Sequence, residues 1–336
     1  MTYSSGIGSM PGGSVGAETA NAADFAEAQR VALGEVSLPH LVEVPGRGAV
    51  ASMTGRTLGL ISELGFDLQP AGWRLAPRGI DQRRAASLIA QDLDVVSQLS
   101  VSGTFKVQVC GPWTLAATVE KPKGDLLLSD HGARREVAEA LALAISAHVA
   151  DLRRRLPGVV DLIVQVDEPG LPAVMSGQVP TASGFHRHRS VDPPTASTAL
   201  ELVFGAIAEA GATPIAHCCA ADAPVRLLRQ AGARGVSVDL LNLPAGGYDP
   251  LAESLEAGEW VLLGVVSATD SADDAHQVNT RAHRFLDMLG LDPTERTVFT
   301  PACGLAGATP TYARTALEMA AGAAASVSAP ADLDHD

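Results

Sequence analysis

Short apolar runs alternate along the chain with Ala/Leu/Arg-rich helical stretches, and eight such runs predict an α/β protein of the closed (β/α)8 TIM barrel class. Two further observations support this class. The runs are apolar on both faces, as strands covered by helices must be. The chemically able residues fall where the runs end, which is the carboxyl-terminal face where barrels place their sites. The chain has 336 residues, 46% hydrophobic and 18% charged, enough for one full core, and no Pro/Gly/Ser-rich linker or charge run divides it. Residues 1–327 are therefore read as a single barrel domain and 328–336, SAPADLDHD, as a disordered tail.

In chain order, the first run is SSGIGSMPG (4–12), whose glycines permit a tight turn. The second is AGWRL (71–75), the shortest. FKVQVCGP (105–112) and DLIVQVDEPG (161–170) follow, each β-branched and each closed by Gly and Pro. TPIAHCC (213–219), GVSVDLL (235–241), WVLLGVVSA (260–268) and TVFTPACG (297–304) complete the set. Residues 133–156 and 194–211 carry the helical pattern between them.

Composition excludes several classes. A formal net charge of −14 argues against nucleic acid, since phosphate binding needs clustered Lys and Arg. The start, MTYSSGIGSMPGGS, lacks a basic segment followed by an apolar one, and no apolar stretch approaches the ~20 residues of a bilayer span. A cytoplasmic protein without a membrane partner is expected. Four cysteines, at 110, 218, 219 and 303, are too few for a disulfide scaffold and suit reduced thiols or metal ligands.

The run ends carry Ser9, Cys110, Asp167 with Glu168, His217 with Cys219, Asp239, and Cys303. His217 and Cys219 are two apart, so on a strand they leave the same face while Cys218 leaves the other. An imidazole and a thiol on one face are half of a tetrahedral zinc site, although buried cysteines also pack as small hydrophobes. Cys303 and Asp239, also at run ends, extend the set to His, Cys, Cys and carboxylate, a zinc shell with one replaceable position. Asp167 and Glu168 fit either a helix N-terminus, with Pro169 in its first turn, or a site for a substrate ammonium. GIGSMPGGS lacks both the GxGxxG pattern and a phosphate-loop Lys, leaving a tight turn or backbone N–H groups for a carboxylate. His186 and His188 lie in a polar, arginine-rich stretch and are read as solvated or as a mobile loop over the site.

The segments IGSMPG, GPWTL, VQVDEPGL, AHCC and PACGL occur in the order and with roughly the spacing of one known family. From about residue 6 to 320 the chain resembles the catalytic domain of cobalamin-independent methionine synthase, in a single-barrel short form without the additional amino-terminal barrel. The resemblance implies zinc held by His217, Cys219 and Cys303, with Asp239 on or near the position of the family's ligating Glu. It implies that Ile7, Gly8, Ser9 and Asp167 hold the backbone groups of homocysteine, with Glu43 a candidate for its amine. Zinc would strip the proton from a thiol whose pKa is otherwise near ~8.5.

On the methyl-donor side the chain departs from the family. Ser267, Ala268 and Thr269 stand where the family has its proton-donating His, Thr118 where a Trp stacks on folate, although Trp113 lies close by, and Ala173 where a Glu contacts the pterin. A tertiary amine leaves poorly without protonation, so a methylated corrinoid protein is the expected donor rather than methyltetrahydrofolate. No residue is assigned as general acid. The alternatives are a methyltransferase on another thiol, a relative of uroporphyrinogen decarboxylase, which AHCC and PACGL disfavour, and a non-catalytic zinc- or thiol-binding homologue.

Overall fold

Residues 2–12, 21–77 and 79–329 are described by a computed structural model. Its strands are β1 (Tyr3–Ser4), β2 (Phe66–Gln69), β3 (Gly72–Leu75), β4 (Gly103–Cys110), β5 (Val159–Asp167), β6 (Thr213–Cys218), β7 (Gly235–Asp239), β8 (Trp260–Val266) and β9 (Thr297–Pro301). Seven of them form one parallel sheet in the order β1-β9-β8-β7-β6-β5-β4, with β2 and β3 in a separate pair. Helices connect consecutive parallel strands, as this pairing requires. Residues 133–156 and 194–211 fall on helices His131–Arg155 and Pro193–Glu209, whose N-caps are Asp130 and Asp192.

The second predicted run is not a barrel strand. Residues 72–75 pair antiparallel with β2 in a local hairpin, Phe66 opposite Leu75 and Leu68 opposite Trp73. The turn at Pro70 and Ala71 returns the chain onto its immediate neighbour, and Arg74 reaches from the hairpin to Glu120. The place between β1 and β4 is taken instead by residues 38–44. Ser9 bridges Glu43 and His40 bridges Lys106, both in parallel sense. Leu38 N donates to Ser4 O and Glu43 N to Gly8 O on one side, and Leu41 N to Lys106 O on the other. The curled sheet is thereby joined from β1 round to β4, a TIM-barrel-like closure in which one stave makes isolated bridges only.

Inside the barrel, alternation sorts the side chains. Leu38, Ile163, Ile215, Leu262 and Val298 form their own apolar cluster, separate from the large one between sheet and helices that contains Val164, Val166, Ala216 and Val236. One step of two residues further along β5 and β6 turns this floor polar. Ile163 gives way to Gln165 and Asp167, and Ile215 to His217 and Cys219. Of the expected tail, Ser328 closes the helix Pro310–Ser328 and Ala329 caps it, while 330–336 lie outside the described residues.

Candidate metal centre and substrate cavity

His217, Cys219 and Cys303 converge at the carboxyl ends of β6 and β9, with one ligand atom from each within 4.8 Å of the others. The sulfurs of Cys303 and Cys219 are 3.1 Å apart and share a hydrogen bond; Cys303 Sγ lies 4.0 Å from His217 Nε2. The bond shared with Cys219, aided by the neighbouring imidazole, pulls the Cys303 thiol down to about 4 against its burial, and the same bond pushes Cys219 upward. His217 is turned by Ser237, whose Oγ lies 2.9 Å from Nδ1, leaving Nε2 to face the cysteines. A tetrahedral zinc with bonds of roughly 2.0–2.3 Å needs such donors on the order of 3.5 Å apart. Two thiols and an oriented imidazole at this spacing fit that ion.

Asp239, at the end of β7, is not part of this cluster among the described residues. Its Oδ1 accepts from Leu241 N at 2.9 Å and its Oδ2 from the Asn242 amide at 2.6 Å. Burial raises its pKa against those bonds. A carboxylate has lone pairs beyond the two that these bonds use.

The three donors open onto a cavity of about 220 Å³ whose walls also carry Ile7, Gly8, Ser9, Glu43 and Asp167. Larger hollows of about 590 and 670 Å³ lie along helix Ala275–Leu289 and between helices His131–Arg155 and Pro193–Glu209, and neither is lined by a cysteine. The Ile7-Gly8-Ser9 turn is stitched to both sides of the site: Met10 N donates to Glu43 O and Leu305 N to Ser9 O. Ser9 packs against Gly304, where a side chain would collide with its Oγ, so PACGL needs its glycine for this close approach.

The adjacent carboxylates of VQVDEPG separate. Asp167 faces the cavity and accepts from Gln165 Nε2 at 2.7 Å. Burial pushes its pKa up to about 7, with His217 opposing. Glu168 points the other way and caps helix Pro112–Thr118, accepting from Trp113 N and Thr114 N at 2.8 Å and from Thr114 Oγ1 at 2.7 Å. Its pKa is also pushed to about 7, by burial. It therefore serves a helix N-terminus, but one that follows β4 rather than β5.

Glu43 is buried, and burial raises its pKa while Arg56, with Nε 3.6 Å away, opposes. Asp92 clamps Arg56 and Arg47 behind it. Lys106, fully buried below the cavity, donates to Ile7 O at 3.0 Å and to Gln165 Oε1 at 2.8 Å. Burial lowers its pKa to about 8.

Other expectations are corrected. His188 is buried, with Nε2 3.2 Å from Asp125, and only His186 is exposed. Trp113 is a core residue that donates to Ala196 O at 2.9 Å and does not line the cavity at the cysteines. Cys110 is buried away from the cavity lining. Sequence reading passed over Ser237, Gln108, Gln165, Lys106 and Arg56. For Gln165 and Ser237 the available signal was alternation, each standing two positions before a strand-end carboxylate.

A parallel barrel with two thiols and an imidazole at the carboxyl end of its interior defines a class built for soft-donor chemistry. Residues 82–326 match the family described as Cobalamin-independent synthase, Catalytic domain. The chain belongs to this family. Among solved structures it is similar to a protein from Listeria monocytogenes assigned as a vitamin-B12 independent methionine synthase, with 16% identity and a TM-score of 0.43. That likeness covers 68% of this chain and 65% of the other, less than two thirds of the Listeria protein's length. It is also similar to 2,3-dimethylmalate lyase, with 13% identity, a TM-score of 0.37 and 88% and 76% of the two chains covered. For GH5_18 from Streptomyces cattleya the values are 15%, 0.41, 83% and 76%. No curated protein matches. Among the described residues no helix is long and apolar enough to cross a membrane.

Proposed function

We propose that this chain transfers a methyl group to the sulfur of homocysteine, giving methionine, with zinc held by His217, Cys219 and Cys303. One observation carries the reading: the three soft donors lie on the wall of the same small cavity as Asp167, Glu43 and the Ile7-Gly8-Ser9 turn. An amino-acid thiol needs both ends of such a cavity. Asp239, whose oxygens keep lone pairs beyond their bonds to Leu241 and Asn242, is the proposed fourth donor.

Zinc supplies the positive charge that draws the proton from an entering thiol. The chain's own residues do the rest. Ser237 holds the Nδ1 edge of His217, so that Nε2 faces inward. Asp167 and Glu43 take the substrate ammonium, and the turn at Gly8 and Ser9 offers backbone N–H groups to its carboxylate. With both ends fixed, the sulfur is aimed at the mouth of the cavity, where it can attack a methyl carbon in line while the donor leaves from the opposite side with the bonding pair.

The proposed donor is a methylated corrinoid protein. Ser267, Ala268 and Thr269 follow β8, with the Ser267 hydroxyl donating to Thr269 O, and His217 is the single imidazole among the cavity's lining residues. A methyl–cobalt bond breaks without an acid, whereas the methyl–nitrogen bond of methyltetrahydrofolate needs one. The test offers zinc-loaded protein and homocysteine to methylcobalamin and to 5-methyltetrahydrofolate side by side. Methionine from methylcobalamin alone is expected. Turnover with folate alone overturns the donor, and homocysteine binding with no turnover from either favours a binding protein.

A further inference from the structure

We propose that Gln108 is a third contact for the substrate ammonium and sets the preference for thiols that carry a free amine; this rests on the cavity's reading as a homocysteine site. Gln108 lies two residues before the carboxyl end of β4, is 6% exposed, and lines the cavity with Glu43 and Asp167. Its amide is fixed from behind, because Nε2 donates to Leu41 O at 3.0 Å. The amide packs on Gly8, where a Cβ would meet Gln108 Cδ at 2.8 Å. That orientation leaves Oε1 buried with no hydrogen-bond partner, and among the described residues it is the one such atom belonging to a cavity-lining residue.

A buried acceptor without a donor is costly in the free protein and calls for a ligand that supplies one. An alkylammonium brings three N–H donors and no acceptor. Asp167 and Glu43 account for two. The carbonyl of Ile7, the nearby backbone alternative, already accepts from Lys106 Nζ at 3.0 Å and from Gln165 Nε2 at 2.9 Å, which uses both of its lone pairs. Gln108 Oε1 is the acceptor that remains.

The test compares two ligands by calorimetry on zinc-loaded protein: homocysteine, and 4-mercaptobutanoate, which has the same thiol and carboxylate without the amine. Gln108→Leu and Gln108→Met, the second keeping the length of the side chain, are measured against the parent together with zinc content and melting temperature. Expected is a loss of about ten-fold or more for homocysteine and less than about two-fold for 4-mercaptobutanoate. Equal weakening of both ligands would mean that Gln108 only packs the wall, and no change in either would remove it from the site. A parent that binds 4-mercaptobutanoate and homocysteine alike sinks the inference alone; a parent that binds neither sinks the homocysteine reading and the inference with it.

Discussion

Ser237 Oγ lies 2.9 Å from His217 Nδ1, across the β6–β7 pairing that sets these two residues side by side. For Nε2 to bind a metal, Nδ1 must carry the proton and donate it to Ser237. Ser237→Ala is therefore expected to lower zinc affinity about 10–100-fold in a chelator competition. An unchanged affinity would show that the imidazole is aligned by packing alone.

Asp167 and Glu168 are neighbours with opposite duties, and substitution should separate them. Asp167→Asn keeps an acceptor for Gln165 and is expected to weaken homocysteine binding while leaving the melting temperature nearly unchanged. Glu168→Ala strips three donors of their partner at the start of helix Pro112–Thr118 and should cost about 1–3 kcal/mol of stability or more. Denaturant titration and ligand calorimetry on both variants decide; matching profiles would contradict the division.

A methyl added at Gly304 collides with Ser9 Oγ. Gly304→Ala should cost about 1–3 kcal/mol by overpacking. Adding Ser9→Ala should recover much of it, because the hydroxyl is the colliding atom. Additive losses in the double variant would place the strain elsewhere.

His148 sits in the buried face of helix His131–Arg155, where burial, reinforced by Arg56, lowers its pKa to about 4. The folded state thus refuses a proton that the unfolded chain accepts near 6.5. Above that pH the group is neutral in both states and costs nothing; as pH falls from about 6.5 toward 4, stability is lost, by about 3 kcal/mol at the limit. His148→Leu cannot titrate, so its unfolding free energy should gain on the parent's as pH drops from 7 to 5. Parallel curves would mean that His148 keeps an ordinary affinity for its proton.

The barrel was legible where strands are buried on both faces, because β4 to β9 each present a mostly apolar or β-branched run. It was illegible at residues 38–44, where Pro39, His40 and Glu43 interrupt the pattern, and at Trp73, since a short alternating run looks the same whether its partner is local or distant. The meeting of His217, Cys219 and Cys303 could be read from strand ends. Gln108, Gln165 and Ser237 could not, since a polar residue inside an apolar run does not disclose which group it faces. Nor does a sequence reveal that Asp239 spends its oxygens on Leu241 and Asn242, or that Glu168 reaches back to another strand's helix.

The stave at 38–44 is held by isolated bridges rather than a continuous ladder, and Glu43 is on it. A barrel opens first along its weakest seam. Leu41 and Glu43 amides should then exchange with solvent sooner than those of β5 and β6, and a ligand spanning Glu43 and Asp167 would fasten the seam from within. Slower hydrogen exchange over 38–44 on adding homocysteine is the expected signature, and it would make that ligand a structural tie between the two sides of the seam.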